Sequence, residues 1–116
     1  MQYTHLGNSR IQVSRLCFGT LTIGPLQAAL PLTQGVSLLL KAYRAGINFY
    51  DTAASYGTYP YLRQLIKQVG RHNLVIATKS YAVTRAEAET AVEQALKEMD
   101  SSYIDIFLLH EQDTCP

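Results

Sequence analysis

The stretch "NFYDTAASYGTYPYL" (residues 48–62) begins as an apolar run and stops on a carboxylate. Phe49 and Tyr50 read as a buried strand, Asp51 ends it, and Tyr56 follows five residues later between Ser55 and Gly57. Pro60 then suits the first turn of a helix with the apolar stripe Leu62, Leu65, Ile66 and Val69, which Gly70 stops. Strand, polar loop and amphipathic helix make one βα unit, and the rest of the chain repeats it.

"LVIATK" (residues 74–79) is a second such strand. After it, Thr84-Arg85-Ala86-Glu87 has the pattern of a capping box, with Ala88, Ala91, Val92, Ala95, Leu96 and Met99 as the stripe behind it. "YIDIFLLH" (residues 103–110) is another strand. Upstream, "RLCFGT" (residues 15–20) is a short strand ending at a glycine, followed by an apolar loop broken by Pro25 and Pro31. Val36, Leu39, Leu40 and Tyr43 then recur at helix spacing, with Thr33 as the expected N-cap and Gly46 as the stop. Residues 1–14 read as a hairpin turning at Gly7-Asn8. The expected organisation is this hairpin, then four strands and three helices across residues 15–116, in a domain that is not complete.

Strands recurring roughly every 30 residues match the size of βαβ units and imply a parallel sheet covered by helices. A doubly wound sheet and a (β/α) barrel both satisfy that pattern. The dinucleotide-binding form of the first wants G-x-G-x-x-G straight after the first strand. Here that turn reads "FGTLTIGP", with glycines only at Gly19 and Gly24, so the fingerprint is absent.

Composition is that of an ordinary globular protein, 47% hydrophobic and 16% charged. The net charge is +1 with Lys and Arg scattered, which gives no electrostatic support to nucleic-acid or membrane-surface binding. No apolar run reaches the roughly 18 residues of a membrane span. The polar N-terminus lacks the apolar region of a signal peptide, and a cytoplasmic location is expected. Cys17, in an apolar run, is expected to be a small buried hydrophobe, and Cys115 lies in a polar tail. Neither has ligand-like neighbours, so no disulfide framework and no metal site are expected.

At the carboxyl ends of the four strands stand Gly19-Thr20, Asp51, Lys79 and His110. Barrel enzymes draw their catalytic groups from several strand ends at this one face. Side chains alternate along a strand, so Val75 and Ala77 share a face with Lys79, and Ile106 and Leu108 share one with His110. Taken singly, Asp51 reads equally as a helix cap, Lys79 as a solvated charge and His110 as a core histidine. Tyr56 has rivals in Tyr59 and Tyr61. Together they place an acid, an amine, an imidazole and a phenol on one rim.

The chemistry open to such a set follows from charge. A free tyrosine, with a pKa of about 10, donates protons poorly at neutral pH. An ammonium beside a phenol favours the phenolate and brings proton donation toward the working range. A carboxylate keeps that ammonium charged in a partly dry pocket. An imidazole fixes a substrate oxygen by a hydrogen bond. Such a site protonates an oxygen on which negative charge is developing, as carbonyl reduction requires. No side chain supplies the electrons, so a nicotinamide cofactor must.

The chain resembles the N-terminal part of the aldo-keto reductases, through "LGNSRIQVSRLCFGT", "AGINFYDTAASYG", "LVIATKS" and "SSYIDIFLLH" in order and at matching spacing. The resemblance implies the N-terminal half of a (β/α)8 TIM barrel preceded by a short β-hairpin. It implies NADPH, with NADH as the alternative donor, and a small-molecule carbonyl substrate. It also implies a catalytic tetrad of Asp51, Tyr56, Lys79 and His110, with Gly19, Thr20 and Asp51 near the cofactor. Two stretches depart from the family pattern: "TYPYLRQ" follows Tyr56-Gly57 where relatives carry a serine-glutamate segment, and "EQD" follows His110. A complete barrel takes about 250 residues, so the 116 residues are expected to be an inactive fragment. Two other readings stand beside the reductase: a barrel lyase forming a Schiff base at Lys79, and a non-catalytic half-barrel acting through self-association or a partner chain.

Overall fold

The computed structural model describes residues 1–112; Asp113 and Cys115, at the end of the sequence, lie outside them. Strands β1 (Tyr3–His5) and β2 (Gln12–Ser14) pair antiparallel, forming the expected hairpin. Four strands follow: β3 (Cys17–Gly19), β4 (Phe49–Asp51), β5 (Val75–Ser80) and β6 (Ile106–Leu109). They form one all-parallel sheet in the order β3-β4-β5-β6, each connected to the next through one helix. These helices are α1 (Leu32–Arg44), α2 (Tyr59–Val69) and α3 (Arg85–Met99). This is the βα progression of half a barrel wall.

The core lies between the sheet's outer face and the helices. Tyr50, Ile76 and Thr78 project outward and are completely buried, against a layer that includes Leu39, Leu62, Leu65 and Met99. Burying each large apolar side chain contributes about 1.5–3 kcal/mol, which is what holds short helices on a four-stranded sheet. Tyr50 is tied in by its hydroxyl, which donates to the Leu39 carbonyl at 3.0 Å.

The opposite, inner face follows from strand register. Cys17, Phe49 and Val75 stand in one row, and Gly19, Asp51, Ala77 and Ile106 in the next. Lys79 pairs with Leu108 above them. Leu108 is 48% exposed there. Cys17 is exposed too, contrary to the expectation of a buried thiol. It sits at an apolar sequence position but on a face that no helix covers.

The hairpin is fastened to the lower, amino-terminal end of the sheet. Asn48, just before β4, accepts from the Ser14 amide at 2.7 Å and donates to the Gln12 carbonyl at 3.1 Å. Tyr3 donates to the Gly46 carbonyl at 2.6 Å. The hairpin thus sits at the end of the sheet away from the carboxyl rim.

Local signals in the sequence set most helix ends. Thr84 and Glu87 form the complete capping box of α3, and Gly70 closes α2. Thr33 is not the cap of α1. Pro31 holds that position with φ −51° and ψ 145°, and its carbonyl already accepts the Gly35 amide at 2.9 Å. The fixed proline ring turns the chain into the helix two residues earlier than a threonine cap requires.

Candidate active site

Asp51 is the last residue of β4, Lys79 the fifth of β5, and His110 the first after β6. The His110 amide donates to the Ser80 carbonyl at 2.8 Å, extending the β5–β6 ladder by one step and fixing the imidazole at the rim. Tyr56 ends a 3₁₀ turn, Ala54–Tyr56, immediately after β4. Gly57 follows in the left-handed region, φ 69°, and so reverses the chain into α2. A side chain there would also sit 2.7 Å from Pro25 Cγ.

Lys79 is the centre of the arrangement. Its Nζ lies 2.9 and 3.0 Å from the two Asp51 carboxylate oxygens and 2.7 Å from the Thr52 carbonyl. The pair is partly shielded, with 14% of the lysine side chain and 33% of the aspartate exposed. The same Nζ lies 5.1 Å from the centre of the Tyr56 ring. The His110 ring stands edge-on to Tyr56, centroids 5.9 Å apart at 86°. On its other side Tyr81 stacks at 4.3 Å and 10°. His110 Nδ1 is buried without a hydrogen-bond partner among the described residues. Residues 51, 56, 79 and 110 therefore meet at one rim. Tyr59 and Tyr61 are buried in α2 and bonded elsewhere, to Thr78 and the Leu30 carbonyl.

A profile of the aldo/keto reductase family matches residues 15–114. The chain belongs to the aldo/keto reductase family. It is 30% identical over 129 aligned positions to a probable aldo-keto reductase of Glycine max, covering 98% of this chain and 37% of that protein. Its fold superposes on a holo-form aldo-keto reductase from Bacillus halodurans with a TM-score of 0.81 at 27% identity, covering 97% of this chain and 38% of that one. An aldo-keto reductase from Klebsiella pneumoniae in complex with NADPH gives 0.79 at 27% identity, over 90% and 38% of the two chains. The fold is thus part of the (β/α)8 barrel of these reductases. This chain spans under two fifths of their length, 37% and 38%.

Of the residues expected near a cofactor, Gly19 lies on the inner face beside Asp51, and a Cβ built there meets nothing within 4 Å. That leaves bare backbone open to a flat ring. Thr20 behaves differently. It is completely buried, its hydroxyl donating to the Asp51 carbonyl at 2.9 Å and lying 2.8 Å from Thr58 Oγ1, so its side chain meets its own strand ends. Cys17 lies one row below. Partial desolvation, then the Asp51 charge, push its thiol up to about 11, against the opposing pull of Lys79. Both effects favour the thiol over the thiolate, the form that reacts.

Three residues near the site were not singled out by sequence: Tyr81, which packs on His110, and the buried pair Thr52 and Thr58. A trace of the threonines is visible in hindsight. Gly19-Thr20, Asp51-Thr52 and Gly57-Thr58 repeat one pattern, a threonine directly after a strand-end or turn residue.

Proposed function

We propose that this segment is the tetrad-bearing wall of an NADPH-dependent reductase that converts a small aldehyde or ketone to an alcohol. NADH is the alternative donor. The observation that carries the reading is the position of Lys79 Nζ, bonded to Asp51 and 5.1 Å from the Tyr56 ring.

Tyr56 is the general acid, passing its phenolic proton to the carbonyl oxygen as charge gathers there. The Lys79 ammonium stabilises the negative charge left on the phenol, and Asp51 with the Thr52 carbonyl hold that ammonium in place. His110 orients the carbonyl. Its Nδ1 finds no acceptor among the described residues. Placing the ring proton on Nε2 avoids a stranded buried N–H and leaves Nε2 as the donor to the substrate. Gly19 and Asp51 form the surface against which a nicotinamide ring fits, and Thr20 holds the Asp51 main chain through its carbonyl. NADPH, when bound, supplies the two electrons and the carbon-bound hydrogen that no side chain here provides.

Lys79 faces three acceptor atoms, an arrangement suited to holding charge and opposed to attack on a carbonyl. The opposite barrel wall belongs to the part of the relatives that this chain does not match, so the 116 residues alone are expected to be inactive. The test uses a complete barrel containing this segment and follows NADPH absorbance with a panel of aldehydes and ketones. Tyr56→Phe should lower the rate by about 10²- to 10⁴-fold with cofactor affinity retained. An unchanged rate removes Tyr56 from the mechanism.

A further inference from the structure

Three threonine hydroxyls are linked at the strand ends next to the Asp51–Lys79 pair, all on completely buried residues. Thr58 Oγ1 is 2.8 Å from Thr20 Oγ1 and 2.7 Å from Thr52 Oγ1. Thr20 Oγ1 is 2.9 Å from the Asp51 carbonyl oxygen, which can only accept. A hydroxyl carries one proton, so counting protons gives every bond a direction. Thr20 commits its proton to the Asp51 carbonyl. Thr58 must therefore donate to Thr20, and Thr52 must donate to Thr58.

The chain runs one way, Thr52 to Thr58 to Thr20 to the Asp51 carbonyl. Its two ends fall on adjacent residues at one strand end, and it passes through Thr58, the N-cap of α2 directly after Tyr56-Gly57. Lys79 grips the same strand end from the other side, at the Asp51 carboxylate and the Thr52 carbonyl. Thr58 is also capped from above. A Cβ on Gly24 would come within 2.4 Å of Thr58 Cγ2 and 3.3 Å of the Tyr56 carbonyl oxygen.

We infer that Thr58 is a positioning residue: its hydroxyl is the link that holds the Tyr56 loop against the strand end bearing Asp51, and so sets the distance from Tyr56 to Lys79. The inference rests on the reductase reading for its catalytic consequence but not for the linkage itself. In a short buried chain the bonds polarise one another, so removal of the middle member is felt at both ends.

The direction makes the three hydroxyls unequal. Thr58→Val strands the Thr52 donor and separates the loop from Thr20. Thr20→Val strands the Thr58 donor. Thr52→Val strands no donor, since Thr58 still donates to Thr20, and should be the mildest. Thr58→Ser keeps the hydroxyl and should restore the wild-type behaviour.

The experiment uses the complete barrel and two readouts. In steady-state reduction, Thr58→Val should lower kcat by roughly 10- to 100-fold, the loss expected of a misplaced group, while KM for NADPH stays within about twofold. In ¹³Cζ-tyrosine spectra, with the Tyr56 resonance assigned by its loss in Tyr56→Phe, Thr58→Val should shift that resonance and Thr58→Ser should not. A Thr58→Val protein that is merely less stable, with unmoved kcat and an unmoved Tyr56 resonance, overturns the inference. Thr52→Val as damaging as Thr58→Val overturns the assigned direction. If the resonance moves but no carbonyl is reduced even by the unmutated barrel, the linkage stands and the reductase reading falls.

Discussion

Removing Arg71 should cost this fold more than any other single charged side chain described here, and the size of the loss follows from its contacts. The guanidinium donates from Nε to Ser101 Oγ at 2.9 Å and from Nη1 to the Leu74 carbonyl at 2.8 Å. From Nη2 it reaches the Tyr103 carbonyl at 3.1 Å and Asp105 Oδ2 at 2.7 Å. It also stacks 4.0 Å over the Tyr103 ring. Only 11% of its side chain and 15% of that of Asp105 are exposed. Asp105 Oδ2 in turn accepts the Ile76 amide at 2.8 Å, so the carboxylate stands where a ladder carbonyl otherwise would, between β5 and β6.

Arg71→Ala leaves a largely buried carboxylate with a single amide donor, a change that costs up to about 3–5 kcal/mol. That is a fifth or more of the roughly 5–15 kcal/mol by which typical domains are stable. Arg71→Lys should lose most of the same amount, since a point charge does not reproduce four bonds from a planar fork. Asp105→Asn keeps an acceptor for the Ile76 amide and should cost about 2 kcal/mol. Urea unfolding followed by circular dichroism measures each loss as a fall in midpoint at constant m-value. An Arg71→Ala loss below about 1 kcal/mol would place the pair with weak surface ion pairs and refute the reasoning.

Three smaller predictions accompany it. Thr84→Ala removes the capping-box hydroxyl that accepts the Glu87 amide and should cost about 1 kcal/mol by the same unfolding measurement. Burial raises the phenols of Tyr50 and Tyr59, so the fold favours their neutral form. That contribution is intact below the unfolded value of about 10 and is lost as pH climbs beyond it; above that point the unfolding midpoint should fall less steeply in Tyr50→Phe than in the unmutated protein. Gly24→Ala drives a methyl into Thr58 Cγ2, which should destabilise by about 1–3 kcal/mol and shift the Tyr56 resonance, as measured by unfolding and by spectra of the labelled tyrosines.

The βα alternation was legible because each unit carries its own punctuation: Pro60 and Gly70 around α2, the Thr84–Glu87 box before α3. These signals act within one turn of chain. Thr33 misled for the same reason, since a good cap residue lost to the proline two places earlier. Cys17 misled for a different one. Apolar neighbours in sequence do not say whether the face a residue lands on will be covered. Asp51, Lys79 and His110 were readable from strand ends because period-2 alternation carries a side chain's direction along the whole strand, whereas Tyr56, in the 3₁₀ turn after β4, was separated from Tyr59 and Tyr61 only by the family resemblance. The threonine chain and the Arg71 network were not, because each joins elements 30 or more positions apart through contacts that leave no periodicity.

One of the three acceptors that hold Lys79 is the Thr52 carbonyl, a main-chain atom. Any side chain at position 51 can be exchanged, by evolution or by design, yet the amide oxygen next to it is encoded by every amino acid alike. The amine therefore keeps a tether that sequence drift cannot erase. Variation at position 51 would alter the strength of the lysine's anchorage while leaving its address unchanged.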